Sequence, residues 1–179
     1  KEIDGIQTTE PTFGLPAVWI TTSDKQKAQM AGYTVVDPAT VVTTHIKETI
    51  KRHASELLGR QETQSLVDKF KESNPKVIEE LIPDVLSLGK IQKVLQNLLK
   101  EHVSIRDLRT ILEQLADYAP STQDTDVLTE YVRQAMARPI TKQFQSADGS
   151  LSVMTLDRQV EEIIQKSIQR TEVNSFLAL

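Results

Sequence analysis

Between residues 38 and 138 apolar side chains recur at steps of three and four with few interruptions. Only an α-helix gathers such a spacing onto one face, so this span is predicted to fold as packed helices. Aromatic residues are 4% of the chain, which leaves those helices an aliphatic core. Asp37-Pro38 marks the first start, because the acid serves as N-cap and proline is tolerated at the first helical position. The helix that follows carries Val42, Ile46, Ile50, His53 and Leu57 on one stripe, and Gly59 ends it. Further helices are predicted over 60–73, ahead of Asn74-Pro75, and over 75–84, stopped by Pro83. The segment 88–102 presents Ile91, Val94, Leu95, Leu98 and Leu99. The next, 104–119, opens at Ser104 and Asp107 and presents Ile105, Leu108, Ile111, Leu112 and Leu115. A last helix of this run covers 125–138 and ends at Pro139. Connections of two to six residues make neighbours antiparallel or orthogonal.

The flanks have a different period. "IDGIQTT" reads as a weak strand and "AVWITT" as a stronger one. Ser23 is predicted to cap a short helix, "DKQKAQMA", which Gly32 stops, and "YTVVD" reads as the next strand. After Pro139, "TKQFQ" and "LSVMTL" alternate around the turn-rich "SADGS", a hairpin signal. Asp157 starts a helix over 158–170, and the chain closes on the strand-like "SFLAL". The fold class expected is α+β, predominantly α-helical: a partial α/β unit, a helical subdomain, then an incomplete hairpin-plus-helix unit. A hairpin and one helix cannot bury both faces of the sheet alone, so both end units read as unfinished, with an open sheet edge near 151–156 or 175–179.

Chemistry is sparse. A net charge of −4 argues against broad nucleic-acid binding, which needs cations in excess. The absence of cysteine excludes disulfides and thiolate chemistry and fits a reducing, cytosolic setting. No apolar run approaches the roughly 20 residues of a membrane span, and "KEIDGIQTTE" lacks the apolar core of a signal peptide. "LGKIQ" lacks the upstream glycine and the following Ser or Thr of a phosphate-binding loop. His45 and His53 lie eight apart on one helix, but no further groups have ligand spacing, so no metal is expected. His53, within the apolar stripe, is expected to be half-buried and hydrogen-bonded. The run 47–53 reads as a solvated face, and Arg106 and Arg109 as surface partners of Asp107. Glu79-Glu80 and Glu161-Glu162 point about 100° apart on their helices and do not converge for acid–base work. No catalysis and no cofactor are expected.

The stretch "EPTFGLPAVWI", residues 10–20, stands apart. Phe13 lies between Pro11 and Gly14, with little local chain to bury it. It is either an ordinary core aromatic or part of a shallow apolar pocket rimmed by polar groups such as Glu10.

Five blocks, "EPTFGLPAVWI", "AGYTVVDPATVVTTHI", "HASELLGRQET", "VLQNLLKEHVSIRDLRTILEQLADYAP" and "LTEYVRQAMARPI", together resemble the cytoplasmic part of the FHIPEP family of flagellar and virulence type III secretion export-gate proteins. The resemblance runs in order along nearly the whole chain. "LADYAP" and "GRQE" are more similar to the flagellar branch than to the injectisome branch. The resemblance implies a membrane half preceding a cytoplasmic half of four subdomains, the first interrupted by the second. Residues 1–37 would belong to the second subdomain, 38–58 to the first as a single helix, 59–138 to the helical third, and 139–179 to a truncated fourth. It implies a non-enzymatic component on the cytoplasmic face of the bacterial inner membrane. That component forms a homo-oligomeric ring, nonameric in the family, works with other export-apparatus proteins, and docks flagellar export chaperones carrying their substrates. The chaperone-binding residues it implies fall on Glu10, Phe13, Val36, Val41 and Thr44. The family commonly has Asp where this chain has Glu10, which keeps the charge on a longer arm.

Two other readings compete. A helical DNA- or RNA-binding regulator is disfavoured by the acidic balance and the lack of a basic recognition helix. A hydrolase lacks a nucleophile–base pair.

Overall fold

The computed structural model describes residues 3–170 and 175–178. Its packing divides the chain into two units, Lys1–Ala54 and Ser55–Leu179.

In the first unit β1 (Ile6–Thr9) and β2 (Pro16–Trp19) pair antiparallel, with Ile6 opposite Trp19 and Thr9 opposite Pro16. A 3-10 turn at Thr22–Asp24 leads into α1 (Lys25–Met30), whose Ala28 is buried. Ser23 lies inside that turn rather than capping it; the Thr21 hydroxyl donates to the Asp24 carboxylate at 2.6 Å. Gly32 ends α1 at a φ of +90°, a conformation that costs glycine little. The strand expected over "YTVVD" does not form. A strand exists through bonds to a neighbour, and β1 and β2 bond each other, while the Tyr33 amide turns back to the Ala28 carbonyl at 3.1 Å. Asp37 does cap α2 (Pro38–Arg52): its carboxylate accepts from the Thr40 amide at 2.9 Å and the Thr40 hydroxyl at 2.7 Å. The expected continuous helix to Leu58 is broken at His53, which leaves helical geometry and is exposed rather than half-buried. One short turn, α3 (Ala54–Leu57), follows. Val42, Ile46, Ile50 and Leu57, the expected core stripe, are each more than half exposed.

The second unit holds α4 (Arg60–Ser73), α5 (Pro75–Leu81), α6 (Leu88–Lys100), α7 (Leu108–Tyr118) and α8 (Thr125–Ala135). Their stripes meet in one aliphatic core. Leu81, Ile91, Leu95, Leu98, Ile111, Leu112, Leu115 and Leu128 are fully buried. Each such side chain contributes on the order of 1.5–3 kcal/mol relative to exposure. α7 starts one turn later than expected. Asp107 takes the cap, accepting from the Thr110 amide and hydroxyl, while Ser104 accepts from Arg106 in the loop before it. Arg109 accordingly does not pair with Asp107 but donates to Asn74 at 2.6 Å. Asp124 caps α8, accepting from the Asp126 and Val127 amides. Directional bonds cross between the helices. Gln92 and Gln96 both donate to the Leu58 carbonyl at 3.0 and 2.9 Å, and Asn97 donates to Asp126 and Thr129. Gln123 donates to the Val85 and Ala119 carbonyls.

The hairpin expected after Pro139 is absent. Residues 137–144 form α9 (Ala137–Phe144), with Pro139 in its first turn, where a missing amide forfeits no helical bond. "SADGS" does turn, with Gly149 donating to Ser146 and Ser146 to Ser150, but 151–156 joins no ladder. α10 (Arg158–Ser167) begins at the Asp157 cap and buries no residue. β3 (Ile168–Arg170) pairs antiparallel with β4 (Ser175–Leu177). The open edge is therefore at β3 and β4 rather than at 151–156; residue 179 of the expected terminal strand lies outside the described residues. The α-rich α+β class stands as expected.

Candidate functional site

The six residues from Glu10 to Leu15 join β1 to β2, and Glu10 closes them at both ends. Its amide donates to the Leu15 carbonyl at 2.8 Å and its carbonyl accepts from the Gly14 amide at 3.0 Å. Gly14 sits at a φ of +69°, which lets the chain turn back. The Glu10 side chain folds over the same loop. One carboxylate oxygen accepts from the Thr12 amide at 2.8 Å, the other from the Phe13 amide at 2.7 Å. The Glu10 carboxyl is held below the ordinary glutamate value, first by the Thr12 side chain and then by the two amides. His45 on α2 adds a smaller electrostatic contribution, and partial desolvation opposes them.

The loop divides its side chains. Thr12 is buried, whereas the Phe13 ring stands 66% exposed. Within this chain the Phe13 ring is no part of the buried core.

Beside this loop lies an open cleft of about 730 Å3 within the first unit. Its wall includes Glu10, Pro11, Trp19, Tyr33, Val36, Pro38 and Val41. Of the five candidate residues, the structure brings Glu10, Val36 and Val41 to one cavity. Phe13 is on the loop that supplies Glu10 and Pro11 but is not on the wall, and Thr44, half-buried, lies on α2 beyond Val41. Asp37, at the same wall, has its carboxyl lowered by the Thr40 hydroxyl and amide, so it is occupied as a cap. Sequence reasoning did not place Trp19, Tyr33 and Pro38 on this wall. The signal was there in part, because Trp19 is the chain's single tryptophan and sits in the same eleven-residue stretch as Phe13. The cleft mixes apolar wall residues such as Trp19, Val36 and Val41 with threonines, Lys25 and the carboxylates of Glu10 and Asp37, a lining suited to an inserted apolar side chain with a polar neighbour.

Among the described residues no group of three His, Asp or Glu side chains is placed to hold a metal ion, and no helix is long and apolar enough to cross a membrane.

Comparison with known proteins follows the same lines. A profile described as "FHIPEP family" matches residues 1–179. The flagellar biosynthesis protein FlhA of Bacillus subtilis (strain 168) is 56% identical over 177 residues, 99% of this chain and 26% of that protein. The chain thus spans about a quarter of the length of this curated relative. The solved structure of the Chlamydia pneumoniae CdsV protein superposes at a TM-score of 0.82 with 33% identity, covering 95% of this chain and 50% of that one. The nonameric EscV cytosolic domain from the type III secretion system superposes at 0.73 with 33% identity, over 83% of this chain and 46% of that one. By the match along its full length, and by a relative more than half identical across nearly all of it, the chain belongs to the FHIPEP family.

Proposed function

We propose that this chain is a docking and ring-forming part of a flagellar protein export gate, and that it receives export chaperones with their bound substrates at the cleft beside Phe13. The observation that carries the docking reading is an exposed aromatic on a loop fixed by four hydrogen bonds, whose Glu10 and Pro11 line a cleft walled by Trp19, Val36 and Val41. A loop backbone held by four hydrogen bonds has already met part of the ordering cost of binding, which favours recognition. Glu10, Phe13, Val36, Val41 and Thr44 make up the docking site, with Trp19 and Tyr33 as added walls. The chain carries out no chemistry of its own. The flagellar branch is favoured over the injectisome branch by 56% identity to the flagellar relative against 33% to the EscV domain from the type III secretion system. In this reading residues 1–37 form part of the second cytoplasmic subdomain, 38–58 return to the first, 59–138 are the third and 139–179 belong to the fourth. Self-association into a nonamer, like that of the EscV domain, would set these subdomains beneath an export pore at the cytoplasmic face of the inner membrane.

The test is calorimetric titration of a flagellar export chaperone, loaded with its substrate, into this chain and into Val41→Asp. The native chain is expected to bind saturably. A charge placed on the apolar wall should abolish binding while the helical circular dichroism stays unchanged. Equal binding by the two proteins, or none by the native chain, would remove the cleft as the docking site.

A further inference from the structure

The five residues of the docking site do not share one role, because the hydrogen bonds separate Glu10 from the rest. Both of its carboxylate oxygens are already engaged, one by the Thr12 amide and one by the Phe13 amide, and both of its backbone groups close the loop. A carboxylate whose strongest acceptor directions are satisfied by its own chain has less to offer an incoming partner than its charge suggests. What it does control is the direction of Phe13. The Phe13 amide donates to Glu10 at 2.7 Å, and the ring it carries lies exposed. The pattern, a side-chain oxygen bonding amides two and three residues on, is one that Asp also makes, with an arm shorter by one methylene.

We infer that Glu10 is a positioning residue, which braces the 10–15 loop so that Phe13 is presented to the docking partner, rather than a group that contacts the partner itself. The inference rests on the docking function proposed above, and its test has one arm that needs no partner.

That arm is amide hydrogen exchange of Thr12 and Phe13 in this chain and in Glu10→Gln. Glutamine keeps the length but turns a donor toward one of the two amides, so exchange at these positions should rise roughly tenfold or more, with α6 unaffected. Unchanged exchange at both amides would overturn the brace outright. The second arm is a double-mutant cycle read by titration with a flagellar export chaperone. Glu10→Gln should weaken docking about fivefold in the native background and less than about twofold when Phe13 is already alanine, because a residue acting through Phe13 loses its effect with the ring. An equal loss from Glu10→Gln with and without the ring would show direct contact and overturn the inference. If exchange responds as expected but the native chain binds no chaperone, the docking function falls and the brace stands.

Discussion

Phe13→Ala separates recognition from folding, and its magnitudes follow from one exposure. A phenylalanine side chain offers about 200 Å2 of surface. With the ring 66% exposed, roughly 130 Å2 stays in water after folding and about 70 Å2 is removed. At ~25 cal/mol per Å2, folding gains at most about 1.8 kcal/mol from this ring, and occlusion by a partner would gain at most about 3.3 kcal/mol. Alanine keeps the Cβ, so the losses are smaller: about 1 kcal/mol of stability and about 2 kcal/mol of docking. The second figure is a factor of roughly thirty in Kd, while the first moves Tm by only a few degrees, on the order of 3–5 °C. Paired measurements on one preparation decide it, with chaperone titration for Kd and a thermal melt followed at 222 nm. A Kd within about twofold of the native value, or a Tm lower by more than about 10 °C, would refute the reasoning, because either result means the ring serves packing.

Two further outcomes are expected. Leu98→Ala removes a fully buried side chain in the last turn of α6 and should destabilise the second unit by about 3 kcal/mol in urea unfolding, with Leu57→Ala on the exposed stripe costing less than about 1 kcal/mol as the internal control. The Glu10 brace should also respond to acid. Because its folded carboxyl is lowered below 4.5, its contribution is complete above that value and is lost as pH falls through the lower folded one. The Phe13 amide resonance should therefore titrate with a midpoint below 4.5, and a midpoint at or above it would show the carboxylate is not bonded in solution.

Sequence reading was strongest where the physics is local. α4 is bounded as the period and the following Asn74-Pro75 predict, and Asp37 and Asp157 stand at helix starts as punctuation suggests. It failed where two local signals compete or where a partner decides. Ser104 and Asp107 both offered a start to α7, and the carboxylate, which engages both the amide and the hydroxyl of Thr110, took it. Pro139 read as a helix stop, yet three residues into α9 it costs no bond, so "TKQFQ" completed a turn of helix instead of opening a hairpin. Tyr33–Asp37 has the composition of a strand, but composition does not supply a neighbour to pair with. At the site, the residue types were legible and their division of labour was not. Nothing in "EPTFG" says that Glu10 spends both oxygens on its own loop, or that Thr12 turns inward while Phe13 turns out.

The amides of the second unit carry a consequence of a different kind. Leucine and isoleucine faces slide past one another with little change in energy, since one aliphatic ridge fits a groove about as well as the next. Asn97 fastened to Asp126 and Thr129, Gln92 and Gln96 converging on the carbonyl of Leu58, and Gln123 spanning Val85 and Ala119 work like pins in a lock. They add little to how hard the helices are to pull apart and much to which of several near-equal alignments the chain adopts. In the ring proposed above that would have particular use, because a slip of a single turn in one subunit would be carried into every neighbour it touches.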